Sequence, residues 1–118
     1  MEAQRNPLPR LRLESNDHVV ELTTQNGELG ARLTLGTDED SNLVALGANA
    51  SRHHAYIESH RNDFYLVDVS TNGTFVQMED ERVQYVHRDR VRLWGVGWIS
   101  LGQPLHERHP ILFHEGLS

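Results

Sequence analysis

The stretch HAYIESHRNDFYLVDVSTNGTFVQM, His54 to Met78, holds three short strand-like runs: HAYIES (His54 to Ser59), FYLVDV (Phe64 to Val69) and TFVQM (Thr74 to Met78). In the middle run Phe64, Leu66 and Asp68 alternate with Tyr65 and Val67, a period of two that sends the two sets to opposite faces of a sheet. Asn72-Gly73 separates the last two runs with residues suited to a turn that needs positive φ. No window holds a sustained helical stripe, so the stretch predicts β-structure.

The same reading extends in both directions. LRLES (Leu11 to Ser15), HVVELTT (His18 to Thr24), ARLTL (Ala31 to Leu35) and NLVAL (Asn42 to Leu46) precede it; RVQYV (Arg82 to Val86), RVRLW (Arg90 to Trp94), WISLG (Trp98 to Gly102) and ILFH (Ile111 to His114) follow. Leu33 and Leu35 alternate with Arg32 and Thr34, and Asn26-Gly27 is a second turn signal of the positive-φ kind. About 10–11 short strands with such turns predict an all-β sandwich whose functional loops gather at one end of the sheets. Residues 1–10 carry Pro7 and Pro9 and no periodic pattern, and read as a linker or fragment edge. The domain is then expected over 11–115, with a short tail at 116–118.

Bulk composition narrows the function. With 118 residues the chain has enough length for one core. Seventeen acidic against eleven basic residues give a net charge of -6, which argues against non-specific binding of nucleic acid or anionic membrane. No cysteine is present, which excludes disulfide staples, thiolate metal sites and a thiol nucleophile and fits a reducing, cytoplasmic setting. No apolar run approaches the roughly 20 residues needed to span a bilayer. The opening MEAQRNPLPR lacks the apolar core of a signal peptide, so a soluble chain is expected.

Chemistry concentrates in two turn-rich segments, GANASRHH (Gly47 to His54) and DVSTNGTF (Asp68 to Phe75). They offer the hydroxyls of Ser51, Ser70, Thr71 and Thr74, the Arg52 guanidinium, the Asn72 amide and backbone N–H groups at Gly73. Side by side, such donors suit a phosphate, because charge-assisted bonds converging on a dianion are the strong kind. The order and spacing Gly36, then Ser51-Arg52-His53-His54, then Asn72-Gly73-Thr74 resembles a forkhead-associated (FHA) domain, with most weight on SRHHAYIE and FYLVDVSTNGTFV. That resemblance implies a β-sandwich module that binds phosphothreonine in partner proteins, without catalysis or cofactor. It implies that Ser51 bonds the phosphate, Arg52 makes a second phosphate-side contact, Thr71 donates its hydroxyl and Asn72 holds the ligand's main chain. His54, Gly73 and Gly36 would be architectural: a brace, a turn and a strand end.

One position departs from the pattern. Where the family has an arginine after its glycine, this chain has Thr37, followed by Asp38, Glu39 and Asp40. Arg52 becomes the main cation unless Arg32 or Arg61 reaches across, and a phosphate-independent docking or oligomerisation scaffold stands as the alternative. The segment HRDRVRLWGVGWISLGQPLHERHPILFHEG (His87 to Gly116) resembles the FHA modules of bacterial class III adenylate or guanylate cyclases. This implies a regulatory appendage of a signalling enzyme, whose partner is a phosphothreonine protein or its own catalytic domain.

Other chemistries fit less well. Ser51 and His54 resemble a nucleophile and base, yet the sequence places no carboxylate to orient the histidine. His53, His54 and His60, or His106, His109 and His114, contain ligand types for a metal, but neighbours on a strand face opposite sides. Asp38 to Asp40 lacks the ligand spacing of a calcium loop. No metal is expected. Trp94 and Trp98 flank GVG and read as packing groups or, if exposed, as a docking face.

Overall fold

A computed structural model describes residues 8–45, 47–105 and 110–117. The linker reading for residues 1–7, and the histidines His106 and His109, lie outside the described residues. Among the described residues eleven strands and one short helix follow in order: β1 (Pro9–Ser15), β2 (His18–Thr23), α1 (Thr24–Glu28), β3 (Leu33–Gly36), β4 (Leu43–Val44), β5 (Ala55–His60), β6 (Asp63–Asp68), β7 (Thr74–Met78), β8 (Gln84–Val86), β9 (Arg90–Leu93), β10 (Val96–Leu101) and β11 (Ile111–Leu117).

They form two sheets, one ordered β2-β1-β11-β10-β7-β8 and the other β4-β3-β5-β6-β9. Among the described residues only β3 and β4 pair in parallel. The alternation seen in the sequence is the alternation of burial: in β6, Phe64, Leu66 and Asp68 point inward while Tyr65 and Val67 are half-buried. Leu11, Leu13, Ile99 and Phe113 of the larger sheet meet Leu35, Ile57, Phe64 and Leu66 of the smaller in one apolar cluster. Fully burying such a side chain is worth about 1.5–3 kcal/mol each, which makes this interface the main source of cohesion. The smaller sheet's outer face is covered by cations lying over rings, Arg32 on Tyr56 at 4.3 Å and Arg90 on Tyr65 at 4.7 Å.

Register explains where the loops go. Leu35 pairs with Ala55, and Ala55 with Asp68, so the chain leaves β3, enters β5 and leaves β6 along one row. Segments 37–42, 47–54 and 69–73 therefore emerge at the same end of the sandwich.

Two expectations need correction or extension. Asn26-Gly27 is not a positive-φ turn: both residues lie in α1, whose first turn is capped by Thr23, its hydroxyl accepting from Asn26 N at 3.0 Å. The positive φ comes later, at Gly30 (+89°), because the capped turn first packs Gly27 against Ser59 of β5. Paired strand also reaches past 11–115 at both ends, with Pro9 opposite Leu117 and Arg10 opposite Gly116. Among the described residues no helix is long and apolar enough to cross a membrane.

Phe113→Ala is expected to lower stability by about 3–5 kcal/mol, since it empties a fully buried aromatic site. Leu29→Ala, at a side chain 84% exposed, should change it by less than about 0.5 kcal/mol. Urea unfolding of the two variants checks both, and similar midpoints would contradict the placement of the core.

Candidate functional site

The site is organised from beneath by His54, which is fully buried. Its Nδ1 accepts the backbone N–H of Ser51 at 2.9 Å, so the proton sits on Nε2, which donates to the Gly73 carbonyl at 2.8 Å. One neutral ring thus ties the β4–β5 loop to the β6–β7 loop. Burial pushes its pKa below the ordinary value of 6.5, opposed by the Gly73 hydrogen bond and by Asp68, whose Oδ1 lies 3.7 Å away. With Nδ1 occupied by the Ser51 N–H and Nε2 by Gly73, His54 has no nitrogen left to take a proton from the Ser51 hydroxyl. The nucleophile-and-base reading fails on geometry.

Below the second loop lies Asp68, also buried. Its Oδ1 accepts from Ser70 Oγ at 2.7 Å and Thr74 Oγ1 at 2.6 Å, and its Oδ2 from the backbone N–H of Arg88 at 2.8 Å and of Ser70 at 3.2 Å. Burial pushes this carboxyl's pKa up, but the hydrogen bonds led by Arg88 N–H pull it down further, and the net direction is down. Ser70 Oγ in turn accepts from Gly73 N at 2.7 Å. The turn 70–73 is therefore closed over a charged group, and Gly73 takes φ +85° to complete it. A Cβ on Gly73 would also lie 2.4 Å from the Tyr85 ring, whose hydroxyl donates to the Asn72 carbonyl at 2.8 Å.

Above this base the loops meet directly. Thr71 N donates to Ser51 Oγ at 3.3 Å, and Asn72 Nδ2 donates to the Asn49 carbonyl at 3.0 Å. Ser51 is half-buried while Arg52, Thr71 and Asn72 are exposed, so the four form one rim open to solvent. Thr37 stands at its side: Thr37 N donates to the Ser51 carbonyl at 3.0 Å and Asp38 N to the Arg52 carbonyl at 3.2 Å. Gly36 permits this approach, because a Cβ there would lie 2.0 Å from the Arg52 carbonyl oxygen.

The donor set is not free of carboxylates. Arg52 Nη2 lies 3.1 Å from Asp38 Oδ2. Neither other arginine reaches across: Arg32 pairs with Glu58 at 3.6 Å, and Arg61 lies in the β5–β6 turn, about 20 Å along β5 from Ser51 by strand rise. Arg88 stands close instead, its Nε donating to the Ser70 carbonyl at 3.3 Å.

Asp68, Tyr85 and Arg88 were not singled out by sequence. Asp68 carried a usable signal, a carboxylate in the inward phase of β6 followed at once by hydroxyl residues. Tyr85 and Arg88 carried none, since they reach the loop from β8 and the turn after it. No group of three or more His, Asp or Glu able to hold a metal occurs among the described residues. Trp94 is 39% exposed and Trp98 half-buried, at the start of β10.

The family model of the FHA domain matches residues 33–94, from β3 through β9 and across both loops. The chain belongs to the FHA family. As an FHA domain it is a non-catalytic interaction module. Solved FHA structures share its fold. The first FHA domain of Mycobacterium tuberculosis Rv1747 is 17% identical, with a TM-score of 0.68 over 92% of this chain and 98% of its own. Mycobacterium tuberculosis EmbR, solved with a low-affinity phosphopeptide, is 25% identical, with a TM-score of 0.61 over 91% of this chain and 24% of its own. The N-terminal FHA domain of Saccharomyces cerevisiae Rad53p, solved with a phosphothreonine peptide, is 16% identical, with a TM-score of 0.65 over 94% of each chain. Comparison with curated proteins finds no match.

The brace makes stability of this FHA domain depend on pH. Because the folded His54 holds its proton less tightly than the unfolded one, its contribution is complete above about 6.5 and declines as pH falls below that value. Asp68, also shifted down, adds its loss only when pH falls below the ordinary carboxylate value of 3.8. His54→Ala should cost on the order of 2–4 kcal/mol at about pH 8 and flatten the decline between about pH 7 and pH 5. Urea unfolding at both ends of that range checks it; an unchanged pH slope would show that His54 is not the titrating brace.

Proposed function

We propose that this FHA domain binds phosphothreonine peptides of a partner protein, with Ser51, Arg52 and Thr71 on the phosphate and Asn72 on the ligand's main chain. The observation that carries the reading is the bond from Thr71 N to Ser51 Oγ, with Asn72 tied to Asn49 beside it. Hydroxyls from loops twenty residues apart share one rim, and donors held in place by the fold lower the ordering cost of binding. Asn72 spends one N–H on Asn49 and keeps its other N–H and Oδ1 for a peptide backbone. In this reading Gly36, His54 and Gly73 shape the site without touching the ligand.

The replacement of the family's arginine by Thr37 lowers the expected affinity, since losing a hydrogen-bonded charge partner in a desolvated interface costs about 2–5 kcal/mol. The same feature, with the Arg52 to Asp38 pair, favours a second reading, a phosphate-independent docking or oligomerisation scaffold. Our reading further places the domain in a larger bacterial signalling protein of the cytoplasm, such as a nucleotide cyclase. Its support is the resemblance of the segment His87 to Gly116 to cyclase-attached modules.

Calorimetry against a degenerate phosphothreonine library and its unphosphorylated twin should give heat only with the first, and equal binding of both sinks the reading. Arg52→Ala should remove the phosphate dependence and leave the melting temperature nearly unchanged, because its side chain is 80% exposed. Thr37→Arg should tighten phosphopeptide binding, with a gain that shrinks as salt rises. No change in affinity would mean that position 37 does not face the phosphate.

A further inference from the structure

The cation of the rim already has an anion on it. Arg52 Nη2 bonds Asp38 Oδ2 at 3.1 Å, and His53 Nε2 stands 3.9 Å from the same oxygen. Asp38 is held by its loop rather than by chance rotamers: its Oδ1 accepts the N–H of Asp40 at 2.9 Å, and its backbone is joined to Arg52 at 3.2 Å. The Asp38 side chain is 13% exposed and the Arg52 side chain 80%, so the acid lies beneath an arginine that faces outward. The Asp40 N–H first, and then Arg52, hold the Asp38 carboxyl below the usual carboxylate range.

We infer that Asp38 is a built-in competitor for Arg52 and determines which anion the rim accepts: a phosphate dianion, and not a carboxylate. The inference rests on the phosphothreonine reading above. A ligand carboxylate, from an acidic peptide or a glutamate standing in for phosphothreonine, would replace one carboxylate by another on Arg52. It would also face Asp38 as a like charge and surrender an intramolecular contact. A phosphate brings up to two charges and three acceptor oxygens. It reaches Ser51 and Thr71 as well as a guanidinium N–H that Asp38 leaves open, and these added bonds offset the displacement. Glu39 and Asp40, both exposed, extend the same bias against weakly charged anions.

Asp38→Asn tests this directly, because the amide oxygen still accepts from Asp40 N–H while the charge is gone. Asp38→Ser, which keeps a short acceptor, serves if the first variant folds poorly. Wild type, the variant, and the variant combined with Arg52→Ala are titrated with a phosphothreonine peptide and with its glutamate twin. Wild type should bind only the phosphopeptide. The variant should bind it about three- to tenfold tighter, an effect that fades with salt, and should bring the glutamate peptide into the measurable range. Adding Arg52→Ala should abolish both gains. Phosphopeptide binding by wild type with no gain in the variant, or a gain that survives Arg52→Ala, overturns the inference and leaves the phosphothreonine reading standing. No phosphopeptide binding by either protein sinks that reading and the inference with it.

Discussion

A single buried imidazole holds the working end of this domain together. His54 immediately precedes β5 and is buried in the core; it accepts from Ser51 N through one nitrogen and donates to the Gly73 carbonyl through the other. The Gly73 carbonyl also accepts from Gly102 N at 2.9 Å, which brings the turn after β10 to the same point. Three connections that are remote in sequence thus converge on two adjacent groups. A buried ring with either nitrogen unmatched would carry the cost of an unsatisfied polar atom, so the loops and the ring fix each other.

Charge is divided between two carboxylates with opposite duties. Among the described residues no cation pairs with the buried Asp68, and four N–H and O–H donors replace the water it loses. Its charge holds a turn shut and presents Thr71 and Asn72 outward. Asp38 sits at the surface end of the site and pairs with Arg52, whose side chain is 80% exposed, so that solvent weakens the pair. The inner half of the site therefore resists change, while the outer half is open to it.

Much of the fold was legible because burial follows a period of two, which β6 and β7 show residue by residue. The two loops were legible because only turn residues separate the strands they join. The helix at Thr24–Glu28 was not, since five residues are too few for a helical stripe and Asn26-Gly27 satisfies a turn pattern equally well. Partners across the site were invisible for a related reason. That Asp38 meets Arg52, that Asn72 spends an N–H on Asn49, and that Tyr85 lies on Gly73 depend on register between strands. Spacing along one chain does not carry that information.

We propose that the rim of Ser51, Arg52, Thr71 and Asn72, tied by His54 from below, recognises the phosphate of a phosphothreonine. The most direct measurement is an amide chemical-shift titration of the domain by nuclear magnetic resonance, with a phosphothreonine peptide and its unphosphorylated twin. Phosphate-dependent shifts are expected only at Thr37 and Asp38, Ser51 to His53, and Thr71 to Gly73. Shifts centred on the outer face of either sheet, or the same shifts with both peptides, would contradict the proposal.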